Sequence, residues 1–170
     1  MARWAGWAKR ALKSAAAGAV HYSGLRSVLA RASRVSVGGR RVLIVSYHRV
    51  VEDFEREARR AIPGLLISRD TFGRHIDELR ASGFESAPLG QALDAISGRS
   101  TPKKDLAVLT FDDGYADVYE HAFPVLKEKG APATVYLATG FVGTDRRFLH
   151  DRLFHLSYLG LKGGGGGGGG

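Results

Sequence analysis

"LTFDDGYAD", residues 109–117, sets two adjacent carboxylates, Asp112 and Asp113, between an apolar run and a glycine. The run they follow, Leu106–Phe111, reads as a buried strand. Neighbouring like charges repel, so an acid pair at the end of a buried strand needs a reason to be there. In parallel α/β folds ligands bind beyond the carboxyl ends of the strands, which is where both acids fall. Gly114 lets the chain turn sharply and leaves room for a ligand beside the backbone. The pair is tolerable if a divalent cation sits beside it or if one acid is held protonated. A metal would also divide the labour: one carboxylate binds the ion, the other takes a proton from water. The competing reading is an acidic turn that caps the following helix. A phosphatase with an aspartate nucleophile wants Asp-x-Asp, and here residue 114 is glycine. A receiver domain sets its acids after the first strand, and these follow a later one.

The flanks alternate strand and helix. "RVLIVSYH" (41–48) is a continuous β-branched run suited to a strand buried on both faces. A polar loop rich in Arg and Glu is expected next. "SRDTFGRHIDELRASGF" predicts a helix with Ser68 or Asp70 as its cap, Phe72, Ile76 and Leu79 inward, and Gly83 as its stop. "FESAPL" predicts a short strand and "GQALDAISG" a short helix closed by Gly98. After the acidic turn, "YEHAFPVLKEKG" predicts a helix whose regular part starts near Pro124 and ends at Gly130. "ATVYLA" (133–138) predicts another strand, and "TGFVG" a loop. The alternation argues for a parallel α/β core.

The chain has 170 residues and a net charge of +8. Nine Lys and Arg and no acid fall within residues 1–41, and the remainder holds sixteen basic and seventeen acidic residues. The positive charge therefore belongs to an N-terminal arm, and the body is not a nucleic-acid surface. At helical spacing Trp4, Trp7, Ala8, Ala11 and Ala15 share one side of that arm, with Arg3, Lys9, Arg10 and Lys13 opposite. This pattern suits peripheral contact of residues 1–20 with a membrane, or packing on the domain itself. The run from Ser14 to Val20 is short for a signal peptide. There is no cysteine, so no disulfide or thiolate metal site is available. Gly163–Gly170 are all glycine and can bury nothing. The division expected is an arm over 1–40, a catalytic-type domain over 41–162 and a polyglycine tail over 163–170.

"LTFDDGYADVYEHAFPVLKEKGAPATVYLATGFVG" resembles the first signature of the polysaccharide deacetylases, the NodB-homology family of carbohydrate esterases. "SYHRV" (46–50) and "ISRDTFGRHIDELRASGFESAPL" are similar to the family's opening stretch, so the resemblance runs from about Arg41 to Asp151. It implies a distorted (β/α) barrel and metal-dependent hydrolysis of N-acetyl groups from an amino-sugar polysaccharide. It further implies that Asp112 is the general base and that Asp113 is a ligand to a divalent metal, usually zinc. Thr110 and Gly114 would shape the loop. His48, also at a strand end, is a candidate to touch substrate or to make a structural hydrogen bond.

The departures are as informative. The family completes its metal site with a His-Ser/Thr-x-x-His motif, and no such spacing occurs here. Asp113 alone cannot hold zinc, which wants three protein ligands and a water. His150 and His155, five apart, point to different faces of a helix. His75 reads as a surface or boundary residue, His121 as solvated or capping, and His21 belongs to the arm. The expectation is an incomplete barrel, truncated before its metal-binding histidines and inactive as a deacetylase by itself, working at the cell envelope or a membrane surface. The rivals are a non-catalytic glycan-binding or scaffold protein, and a different metal hydrolase recruiting His48, His150 or His155 beside Asp113.

Overall fold

The computed structural model describes residues 33–163. The readings of residues 1–32 as a basic amphipathic arm and of 164–170 as a glycine tail lie outside them. In chain order the elements are β1 (Ser33–Val37), β2 (Arg40–Tyr47), β3 (Arg49–Val51), α1 (Phe54–Glu57), β4 (Leu66–Ser68) and α2 (Arg69–Ala81). There follow β5 (Phe84–Ser86), α3 (Leu89–Ile96), β6 (Asp105–Phe111), a π-helical turn (Val118–Ala122) running into α4 (Phe123–Glu128), β7 (Ala133–Val135) and α5 (Leu149–Gly163).

The central pair is β2 and β6, parallel and in register from Val42 opposite Leu106 to Tyr47 opposite Phe111. The other edge of β6 is shared. Its start pairs with β5 and its end with β7, both parallel. Because side chains alternate along a strand, each strand serves two cores. Leu43, Val45, Tyr47, Ala107, Leu109 and Phe111 point one way, into Phe72, Ile76 and Leu79 of α2 and Val118, Ala122 and Val125 of the π turn and α4. Val42, Leu106 and Val108 point the other way, against Ala87 and Ala92 beside and within α3. Phe72 and Phe111 are fully buried, their rings 5.6 Å apart edge to face. Each such ring contributes on the order of 2–3 kcal/mol of burial. Parallel strands joined by helices, open at β7, are an incomplete (β/α) barrel, as expected.

The local signals act where the sequence places them. Ser68 Oγ accepts from the Thr71 N–H at 3.2 Å and starts α2. Gly83, at φ +85°, takes the chain out of it. Four segments differ from expectation. Residues 33–40, grouped by charge with the arm, form β1 and its connection to β2. The turn is Gly38–Gly39, both at positive φ, and β1 pairs antiparallel with β2. Residues 49–68 are ordered rather than a bare polar loop, because Val50, Val51, Leu66 and Ile67 bury themselves as the parallel pair β3–β4. Helical structure begins at Ala116, eight residues before Pro124. The wide turn lets Phe123 N–H bond Val118 O, so the proline, which has no N–H to give, falls inside a continuous helical path. Finally, β7 stops at Val135 rather than reaching Ala138, because its partner β6 turns away after Phe111.

Candidate active site at the ends of β2 and β6

Register builds the site. Ser46 lies opposite Thr110 on the face continued from Val42 and Val108, and two residues further along the same face stand His48 and Asp112. The Ser46 and Thr110 hydroxyls are 2.7 Å apart, and the Ser46 hydroxyl donates to Asp112 Oδ2 at 3.3 Å. A hydroxyl has one proton to give, so Thr110 must donate to Ser46 and Ser46 to Asp112. Thr110 is buried, and this chain satisfies it. His48 Nε2 lies 4.0 Å from the same Asp112 oxygen, both side chains about one-third exposed. The Asp112 N–H continues the ladder to Tyr47 O at 2.9 Å, which fixes the carboxylate to the strand end.

Asp113 differs in kind. It is the one non-glycine residue at positive φ among those described, at +71°, followed by Gly114 at +73°. Its carboxylate has no hydrogen-bond partner among the described residues, while its carbonyl accepts from Ala138 N–H at 3.4 Å. Left-handed backbone costs a residue with a β-carbon roughly 1–2 kcal/mol, and such strain clusters at functional sites. Gly114 is favoured by its φ, and an added β-carbon would stand 2.5 Å from Cδ2 of Leu137, an exposed side chain that would have to swing aside. Neither acid directly precedes a helix, since Gly114 and Tyr115 intervene before helical structure resumes at Ala116.

Beyond the turn, the Tyr115 hydroxyl donates to Asp151 Oδ2 at 2.9 Å and lies 2.8 Å from His150 Nε2. With its proton committed to the carboxylate, it accepts from His150, which sets that ring's Nε2–H tautomer. Burial, with the Asp151 bond next, pushes the Tyr115 phenol up. Arg49 stacks over the Tyr115 ring at 4.8 Å and bonds Asp117 Oδ2 at 2.7 Å. Burial nonetheless raises the Asp117 carboxyl above its ordinary range, outweighing the Arg49 attraction.

The structure thus brings His48, Thr110, Asp112 and Gly114 to one strand edge, with Asp113 beside them. His155 is exposed, and His75 instead faces the Tyr47 hydroxyl at 3.3 Å. His121 lies 3.8 Å from Glu52. Sequence reasoning passed over Ser46, although it stands two residues before His48 and so shares its face. Tyr115 and Asp151 meet across 36 residues, and no local pattern signals that. Among the described residues no group of three or more His, Asp or Glu converges to hold a metal. Asp113 offers a single donor, so this donor set does not fit a complete zinc site.

The polysaccharide deacetylase family profile matches residues 99–152, which include every residue from Asp112 to Asp151. The poly-beta-1,6-N-acetyl-D-glucosamine N-deacetylase of Staphylococcus aureus is 27% identical over 110 residues, 61% of this chain and 38% of its own. The solved structure of IcaB from Ammonifex degensii is 33% identical, with a TM-score of 0.53, over 64% of this chain and 42% of that one. The Streptococcus pyogenes deacetylase PplD, solved in complex with acetate, is 25% identical with a TM-score of 0.53, over 69% and 49%. The chain thus spans less than half the length of each of these relatives.

Proposed function

Over the stretch that carries the acidic turn the chain belongs to the polysaccharide deacetylase family, of the NodB-homology type, and from that premise we propose that the protein serves the removal of N-acetyl groups from an amino-sugar polysaccharide. This chain supplies the base-bearing edge of the site. The observation that carries the reading is the Thr110–Ser46–Asp112 hydrogen-bond chain at the carboxyl ends of the two central strands. It holds one carboxylate, part-exposed and oriented, where a water could be deprotonated as it attacks an acetyl carbonyl. Ser46 fixes the Asp112 rotamer and leaves the other oxygen, Oδ1, for the proton. His48 faces the same oxygen as Ser46, where it can meet a substrate hydroxyl or carbonyl. The S. aureus relative acts on poly-beta-1,6-N-acetyl-D-glucosamine, which supports a polymer of that class as the ligand. We propose further that this work is done at the cell envelope, with residues 1–20 against the membrane surface, a reading supported by the basic, tryptophan-bearing pattern of that segment. Sedimentation with anionic liposomes at low and high salt tests that placement.

The test is to titrate the ¹⁵N-labelled chain with N-acetylglucosamine oligomers and assay the same samples for free acetate. Amide shifts confined to Ser46, His48, Asp112 and Gly114, without acetate release, are the expected result for one edge of a site. Zinc-dependent release lost in Asp112→Asn would mean that this chain assembles its own ligands, as in the rival metal-hydrolase reading. No shifts at these amides would overturn the proposal.

A further inference from the structure

Two apolar surfaces left uncovered by the described residues meet at one residue. The first is a groove of about 660 Å³ between the π turn with α4 and the strand β7, walled by Tyr119, Phe123, Leu126, Val135 and Leu137. Lys127 is the one charged group among its described lining residues. Tyr119 is 74% and Phe123 49% exposed, and their rings stack face to face, 5.5 Å between centroids. The second surface is α5. Leu149, Leu153, Leu156 and Leu159 recur at intervals of four, three and three, which draws one stripe along the helix, and each is at least half exposed. A helix of this length is marginal in water by itself and is held by packing an apolar face. Among the described residues nothing is packed against that face. Tyr115 joins the two surfaces, since it lines the groove and bonds His150 and Asp151 in the first turn of α5. The helix therefore departs from the end of the groove it does not fill.

We propose that two copies of this chain associate by exchanging these helices, the leucine stripe of each lying in the groove of the other about a two-fold axis. The chemistry of the wall selects a helix over a sugar. A nearly pure hydrocarbon surface suits leucine side chains and would leave sugar hydroxyls without partners. The areas are sufficient. The exposed parts of the four leucines and of Tyr119, Phe123, Val135 and Leu137 come to roughly 900 Å² per contact, so two contacts remove about 1,800 Å², within the ~1,200–2,000 Å² of stable complexes. The two-fold arrangement satisfies both surfaces of both copies and closes the assembly, where a one-way contact would run on into a filament.

The experiment is sedimentation equilibrium of the full chain from low to about 100 µM, a range that brackets associations of this size. Two double variants accompany it, Leu153→Glu/Leu156→Glu on the stripe and Tyr119→Glu/Phe123→Glu on the groove. All four positions are exposed, and far-UV circular dichroism with urea midpoints checks that each variant folds. The wild type is expected to dimerise, and each double variant to weaken the dimer at least about 100-fold, as loss of central apolar anchors does. An equimolar mixture of the two variants retains one intact helix–groove contact of roughly 900 Å², half the wild-type area, and is expected to associate more weakly than the wild type but more tightly than either variant by itself. A monomeric wild type, a dimer indifferent to either variant, or a mixture that associates no more tightly than either variant by itself overturns the proposal. So does a Trp4→Ala/Trp7→Ala variant that binds an apolar dye at the groove while the stripe variant does not, because the arm of the same chain would then be the occupant.

Discussion

Asp113 should be a residue whose removal stabilises the protein, provided it is replaced by the right thing. At φ +71° a β-carbon costs roughly 1–2 kcal/mol, somewhat less for Asp, which tolerates this region better than most residues. Glycine escapes that cost but gives back about 0.5–1 kcal/mol through the freedom it adds to the unfolded chain. The carboxylate has no partner among the described residues, so its loss removes no hydrogen bond there and relieves some repulsion from Asp112. Asp113→Gly is then expected to gain on the order of 0.5 kcal/mol, while Asp113→Ala, which keeps the β-carbon and loses the tolerance of Asp, is expected to lose about as much. Both variants remove the same charge, so their difference of about 1 kcal/mol isolates the backbone. It should appear as a separation of about 4 °C in melting temperature between the two. Urea unfolding followed by circular dichroism at 222 nm reads the same difference. An alanine variant as stable as the glycine variant would refute the strain argument. A loss of more than about 2 kcal/mol in both would mean that the carboxylate holds the turn together, beyond what a lone half-buried group with no hydrogen-bond partner among the described residues provides.

Gly114→Ala and Gly39→Ala share a left-handed backbone, at +73° and +77°, but an added β-carbon meets Leu137 at the first and nothing within 4 Å at the second. Both should lose about 1–2 kcal/mol in urea unfolding. The excess at Gly114 should be small, because Leu137 is exposed and can swing aside, and it should vanish in Gly114→Ala/Leu137→Ala. Tyr115→Phe removes the hydroxyl between Asp151 and His150, and hydrogen exchange should accelerate about tenfold over the first turn of α5 while the β2–β6 amides are unchanged. Two acids should act oppositely on the pH dependence of stability. The backbone N–H of Arg41 and then its guanidinium hold the Asp105 carboxyl below its ordinary value of 3.8, so its contribution is present above that value and is lost as pH falls. Burial raises Asp117, so its contribution is fullest below 3.8 and declines as pH rises through its folded value. Stability–pH curves of the wild type minus Asp105→Asn, and minus Asp117→Asn, should therefore slope in opposite directions, the first rising with pH below the ordinary value of 3.8 and the second falling with pH above it.

The parts of the fold legible in the sequence are those set by nearest neighbours along the chain. The apolar runs at 41–48 and 106–111, the Ser68 cap and the glycine stops at 83 and 98 each carry their own local cause. The acid pair was legible too, since a strand followed by Asp-Asp-Gly can only put its carboxylates at that strand's carboxyl end. What escaped depended on pairing. The β1 strand hid in a basic stretch, although Gly-Gly between Val-Ser-Val and Arg-Arg-Val is itself a hairpin signal. The β3–β4 pair has three residues a side and too few apolar positions to mark a period. Ser46 was hidden because a serine near a strand end is ordinary, and it gains meaning only from the residue set opposite by a strand 64 positions away.

The register of β2 on β6 constrains how this protein can change over generations. Because Thr110 and Phe111 alternate between the polar edge and the core, inserting or deleting one residue within 42–47 or 106–111 would turn an aromatic ring toward Asp112 and a hydroxyl into the apolar interior at once. The length of these two segments is therefore held by the core. A lineage can retune this edge by exchanging side chains at 46, 48, 110 and 112, whereas the polar connection at 98–104 is free to lengthen or shorten without reaching it.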